Sequence, residues 1–142
     1  MKLISHRGNF EGKEHSNENH PYYIKRAIEH GFEVEIDVWF EKGWWLGHDS
    51  PKYPIDLEYL SNPHFWIHCK NVEALAYLQH TKYNYFWHNV DSYTLTSHGW
   101  IWAYPNNSIV AGTQSIAVLP EIHETDTNLF SGICSDVIGN YK

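Results

Sequence analysis

The sequence predicts an α/β domain built as a reduced, irregular barrel with few helices in its second half. Three observations lead there. Apolar strand-like runs alternate with helical spacing in the first half, which implies parallel βαβ units. Polar residues with useful chemistry collect just after those runs, at the strand ends where α/β sheets and barrels place their sites. After residue 90 the strand-like runs follow one another with almost nothing helical between them. The chain of 142 residues is also short of the roughly 200 of a full eightfold barrel.

Taken in order, Leu3-Ile4 is a buried strand ending in His6-Arg7-Gly8, and Asn9 to Asn19 is a polar loop. Pro21 suits a first helical position, Ile24, Ala27 and Ile28 keep helical spacing, and Gly31 stops the helix. Phe32 to Phe40 is a second strand, alternating Val34, Ile36, Val38 against Glu33, Glu35, Asp37. Glu41-Lys42-Gly43 turns the chain into the short strand Trp44-Trp45-Leu46, which leads to Gly47-His48-Asp49. Prolines 51, 54 and 63 mark an irregular stretch with one helical turn at Asp56 to Leu60. Phe65 to Lys70 is a third main strand. Asn71 then caps a helix through Gln79 with Leu75 and Leu78 on its buried face. Tyr85 to His88, Trp100 to Tyr104, Ile116 to Leu119 and Gly132 to Asp136 complete the strands. No repeat or linker divides residues 1–142, so one domain is expected.

The net charge of −7 argues against a nucleic-acid coat and against a polybasic membrane anchor. No apolar run is long enough to span a bilayer. The N-terminus runs directly into the first motif, so no signal peptide and a cytoplasmic location are expected. Cys69 and Cys134 are far apart in apolar runs and read as buried thiols rather than a disulfide.

The chemistry gathers in three places: His6-Arg7, the same-face pair Glu35 and Asp37, and His48. Two histidines can donate and accept protons near neutral pH. Two carboxylates on one strand face can hold a hard divalent cation, and an arginine fork suits a phosphate. That inventory fits metal-assisted cleavage of a phosphodiester. The plainer alternatives are a solvated acidic strand face for Glu35 and Asp37, a core histidine for His68 and core packing for Trp102.

Ile4-Ser5-His6-Arg7-Gly8, Glu18-Asn19, Ala27-Ile28 with Gly31, Glu35-Ile36-Asp37-Val38 and Gly47-His48-Asp49 with Pro51 together resemble the glycerophosphodiester phosphodiesterase family. These belong to the phospholipase-C-like phosphodiesterases, built on TIM barrels, so the resemblance implies a shortened TIM-type barrel. The ordered match covers roughly the first 50 residues; Ile67-His68-Cys69-Lys70, Trp100-Ile101-Trp102 and Ser135-Asp136 resemble later strands more loosely. The resemblance implies His6 and His48 as the acid–base pair and Glu35 and Asp37 as ligands of a divalent cation, magnesium or calcium. It implies Arg7 and Lys70 as phosphate contacts, Glu18 as a support for Arg7 or the metal shell, and Trp102 as a pocket wall.

Two departures stand out. His68 occupies the place of the family's third carboxylate ligand, which opens the site to manganese or zinc; alternatively Glu121 supplies the missing oxygen. Helices are lacking after residue 90, so the substrate loops do not carry over, and uncovered apolar surface would favour a homodimer. The expected substrate is a small phosphodiester of the glycerophosphodiester class, with no nucleic acid partner. The alternatives are a lyase giving a cyclic phosphate, a catalytically silent phosphate or phospho-sugar receptor on the same fold, and, suggested only by the eleven histidines, a metal-binding regulator.

Overall fold

A computed structural model describes residues 1–142. Ten strands form one mixed sheet: β1 (Lys2–His6), β2 (Glu33–Phe40), β3 (Trp44–Leu46), β4 (Tyr53–Ile55), β5 (Phe65–Cys69), β6 (Tyr85–Trp87), β7 (Tyr93–Leu95), β8 (Ile101–Ala103), β9 (Ser115–Val118) and β10 (Gly132–Ser135). Two α-helices accompany them, α1 (Pro21–Glu29) and α2 (Val72–Leu78).

Seven strands run parallel in the order β8-β9-β10-β1-β2-β5-β6. The remaining pairings are antiparallel: β3 and β4 extend the far end of β2 as a hairpin ribbon, and β7 pairs with β8. β2 is central rather than an edge. β1 pairs with its first half, β3 with its last residues, and β5 with Val34 to Val38 between. Its carboxylates are therefore not a solvated face.

The strand alternation separates two cores. Val34, Ile36 and Val38 point outward beneath Ile24 and Ala27 of α1 and Ala74 and Leu78 of α2. The opposite face carries Ile4, Trp66, Phe86, Trp102, Ile116, Val118 and Cys134, contributed by β1, β5, β6, β8, β9 and β10. Strands from both ends of the ladder share this cluster, so the sheet curls. Its free ends, β6 and β7, meet without a continuous ladder. Ser97 N–H donates to the Tyr85 carbonyl at 2.8 Å, and Thr94 Oγ1 donates to the Trp87 carbonyl at 2.8 Å. The architecture is thus an α/β domain with a curled ten-stranded mixed sheet and few helices; a closed TIM-type barrel is not established by the pairing.

Both helices begin where the residues dictate. The His20 side chain accepts from Tyr22 N–H ahead of Pro21, and Asn71 accepts from Ala74 N–H at the start of α2. Where helices are missing, loops cover the sheet. Ala103 and Ala117 are small enough for Phe130 and Ile109 to lie directly on β8 and β9. The covering is partial, and Val90, Tyr93, Leu95, Val110, Ile122 and Leu129 remain exposed. Two strands escape sequence reading. β4 holds Pro54, which belongs at an edge, and β7 is three residues without periodicity. Both cysteines are free and buried. No helix is long and apolar enough to cross a membrane.

Candidate functional site

The polar end of the curled sheet is assembled from strand C-termini. β1 delivers His6 and Arg7, β2 delivers Glu35 and Asp37, β5 delivers His68 and Lys70, and β10 delivers Asp136. Register puts them together: His6 lies opposite Glu35, and Asp37 opposite His68, so these side chains point to the same side as neighbours. A cavity of 270 Å³ opens above them. Its polar wall includes His6, Arg7, Glu35, His48, His68 and Lys70.

His6 is oriented by a carboxylate. Its Nδ1 donates to Asp136 Oδ1 at 2.7 Å, which leaves Nε2 on the cavity side, 3.9 Å from Glu35 Oε2. Asp136 also accepts from Asn9 Nδ2 at 2.8 Å. Burial would raise the Asp136 pKa, but the contacts with His6 and Asn9 hold it below the usual range. Glu121 supports the same residue from behind, accepting the Asp136 N–H at 3.0 Å. It is therefore not a third oxygen beside Glu35 and Asp37.

Arg7 sits in the left-handed region at φ 57°, pinned by its N–H on the Glu35 carbonyl and its carbonyl under Asn19 N–H. Its Nε lies 3.0 Å from Asp37 Oδ2 and its Nη1 lies 3.7 Å from Glu18 Oε2. Burial opposes its charge, but Asp37, Glu35 and Glu18 raise its pKa further. Asn9 ties the two halves together: its Nδ2 donates to both Glu18 and Asp136, and its Oδ1 accepts from Tyr23 Oη and Glu14 N–H. Asn19 clamps Asp37 twice, donating to Oδ2 at 2.8 Å and accepting the backbone N–H at 2.9 Å.

Glu35, Asp37 and His68 form the second group, with one candidate ligand atom each within 4.8 Å of the others. His68 Nδ1 stands 3.2 Å from Asp37 Oδ1 and 3.7 Å from Glu35 Oε1. Burial penalises the His68 charge, but these carboxylates outweigh it and push its pKa up to about 9. Burial likewise opposes charge on Asp37, yet His68 and Arg7 hold it well below the usual carboxylate range. Glu35 Oε2 is buried without a hydrogen-bond partner, and Asp37 Oδ1 is met within hydrogen-bond distance only by the His68 ring. Buried orphaned oxygens are costly and call for an occupant, and two carboxylates with one imidazole are suitable ligands for a divalent cation. The residues present fit a metal ion. The other acidic grouping, His6, Glu18 and Asp136, is already satisfied through Asn9 and the His6–Asp136 bond.

His48 reaches the cavity from the turn after β3, half-exposed, with Nδ1 2.8 Å from Asp49 Oδ1. Gly47 makes that turn possible: a Cβ there would lie 2.0 Å from the Ser50 carbonyl oxygen. Lys70 Nζ lies 4.0 Å from Asp37 Oδ1. Trp102 touches the cavity only from within the core, against Phe86 at 4.8 Å and Trp66 at 5.5 Å. The aromatic wall is instead the half-buried pair His88 and Tyr104, stacked at 3.4 Å. Burial and the charge of His68 lower the His88 pKa to about 4.

The structure thus brings His6, Arg7, Glu35, His48, His68, Lys70 and Trp102 to one cavity, with Asp37 and Glu18 directly behind Arg7 and Glu121 behind Asp136. Asp136, Asn9, Asn19 and the His88–Tyr104 stack complete the site; Asn19 and Asp136 stood in the motifs Glu18-Asn19 and Ser135-Asp136 without an assigned role, and Asn9 and the stack were not singled out from sequence. For Asp136 the signal was available: it ends an apolar run as His6 does. Comparison with protein-family models, with curated proteins and with solved structures yields no match, so the reading of this site rests on its own geometry.

Proposed function

We propose that this chain is a metal-dependent phosphodiester hydrolase on a shortened TIM-type barrel, acting on a small glycerophosphodiester-like substrate. One observation carries the reading: a carboxylate-oriented histidine shares one cavity with Glu35 and His68, and Asp37 lies buried directly behind, beside Arg7 and His68, to complete a set of two carboxylates and one histidine in which Glu35 Oε2 has no partner.

The residues divide the work as follows. Arg7 and Lys70 bring positive charge to the cavity and would face the non-bridging phosphate oxygens. With its Nδ1 proton committed to Asp136, His6 presents Nε2 as a base to an attacking water. His48, also on the cavity wall, would give a proton to the departing alcohol oxygen. Glu35, Asp37 and His68 would hold the divalent cation. When bound, such an ion neutralises phosphate charge and sharpens the electrophilic phosphorus. Glu18, through Arg7 and Asn9, and Glu121, through the Asp136 backbone, keep these groups in place.

The test is hydrolysis of bis(p-nitrophenyl) phosphate and glycerophosphocholine by metal-stripped protein, re-supplied with single divalent ions. Turnover should return with metal and fall by about 10²- to 10⁴-fold in His6→Ala and in His48→Ala. Phosphorus NMR of the product separates hydrolysis from a lyase reaction ending in a cyclic phosphate. Protein that binds metal and phosphate yet turns over neither substrate is a receptor, and the hydrolase reading is then withdrawn.

A further inference from the structure

The donor set of Glu35, Asp37 and His68 contains one nitrogen, and a contact outside the set decides which nitrogen it is. His68 Nε2 lies 3.2 Å from the backbone carbonyl oxygen of His88. A carbonyl only accepts, so Nε2 carries a proton whatever the state of the ring, and Nδ1 is the nitrogen whose proton a metal ion would replace. Phe86 stacks on the ring at 5.0 Å and 14°, which fixes its plane. Nδ1 is therefore the atom turned toward Asp37 Oδ1 and Glu35 Oε1. A histidine held by one nitrogen on a backbone carbonyl, with the other aimed at carboxylate oxygens, is the usual arrangement of a metal-ligating imidazole.

We infer that this centre selects first-row transition ions such as manganese, cobalt or zinc over magnesium and calcium, with His68 Nδ1 as the discriminating ligand and the His88 carbonyl as its orienting partner. The inference rests on the metal reading of the site. Magnesium and calcium take oxygen ligands and gain little from an imidazole lone pair, whereas transition ions bind it well. A second observation points the same way. Arg7 Nε at 3.0 Å and Lys70 Nζ at 4.0 Å both face Asp37, so the carboxylate field is partly neutralised. Hard ions held by charge alone lose most from that neutralisation. An ion bonded partly through nitrogen loses less.

The experiment titrates metal-stripped protein with cobalt, manganese, zinc, magnesium and calcium chlorides separately, by calorimetry at one pH and ionic strength. Visible absorption of the cobalt form and nitrogen NMR of labelled histidine with zinc complete it. Cobalt and zinc should bind about 10²-fold or more tightly than magnesium or calcium. Zinc should move the His68 Nδ1 resonance and leave the Nε2 proton in place. His68→Glu should narrow or reverse the preference and bleach the cobalt band. Should that variant not fold, the wild-type competition decides alone, since a tenfold excess of magnesium should displace no more than about a tenth of the bound cobalt. Magnesium or calcium binding within about tenfold of cobalt, no ion binding at all, or an unmoved Nδ1 resonance overturns the inference. The preference without any turnover removes the hydrolase reading and leaves this one standing; turnover with equal affinity for magnesium does the reverse.

Discussion

His6 owes its place in the site to a residue 130 positions away. Asp136 selects which His6 nitrogen carries the proton, so its removal should act on proton transfer rather than on substrate binding. Asp136→Asn should lower kcat by about 10²-fold with KM little changed, measured on either phosphodiester. His68 gives a second residue-scale expectation, for stability. Its folded pKa of about 9 lies above the ordinary 6.5, so the interaction stabilises fully below pH 6.5 and is lost as pH rises through about 9. The depressed Asp37 belongs to the same interaction viewed from the other partner. Depressed Asp136 and His88 work on the acid side, where stability falls as pH drops. Urea unfolding of metal-free protein should therefore show a falling midpoint between pH 6.5 and about 9, on the order of 3 kcal/mol. His68→Gln should flatten that limb and leave the acid limb in place.

Among elements, the turn after β3 leaves the least room for change. Gly47 has φ 155°, and its missing Cβ is where the Ser50 carbonyl passes. Gly47→Ala cannot be accommodated by moving a flexible side chain, because the obstacle is backbone. It should cost about 1–3 kcal/mol in denaturant unfolding and reduce kcat by displacing His48. Elements also show where sequence reading works. The two helices, β2 and β5 were legible from spacing, caps and alternation, and the same alternation placed Glu35 and Asp37 on one face. What the alternation did not reveal is that this face is enclosed, because enclosure depends on β1 and β5 flanking β2. The roles of Asn9 and Asn19 were hidden for a related reason. Each looks like an ordinary loop asparagine until the loop folds back, and then one bridges Glu18 to Asp136 while the other clamps Asp37.

On the scale of the whole molecule, small residues on β8 and β9 let loops replace helices as the outer cover, a substitution invisible to a reading that counts helices. The sheet's two ends make the weakest junction, joined by the Ser97 and Thr94 hydrogen bonds. Hydrogen exchange should find the Ser97 amide among the fastest of the sheet-associated amides, far faster than those of β1 and β2, whose neighbours pair on both sides. Equal protection at Ser97 and in β1 would show that the junction opens only with global unfolding.

The pairing of β1 with β10 has a further consequence for biosynthesis. Strand β1 is synthesised well before β10, yet they lie side by side, Lys2 against Gly132 through Ser5 against Ser135. Until β10 arrives, β1 has a partner on one flank only, and His6 has no carboxylate. Such non-local parallel pairing is slow. A chain that stops short of β10 would thus lack both the strand and the carboxylate that orients His6. The oriented His6 side chain would be among the later features the fold acquires.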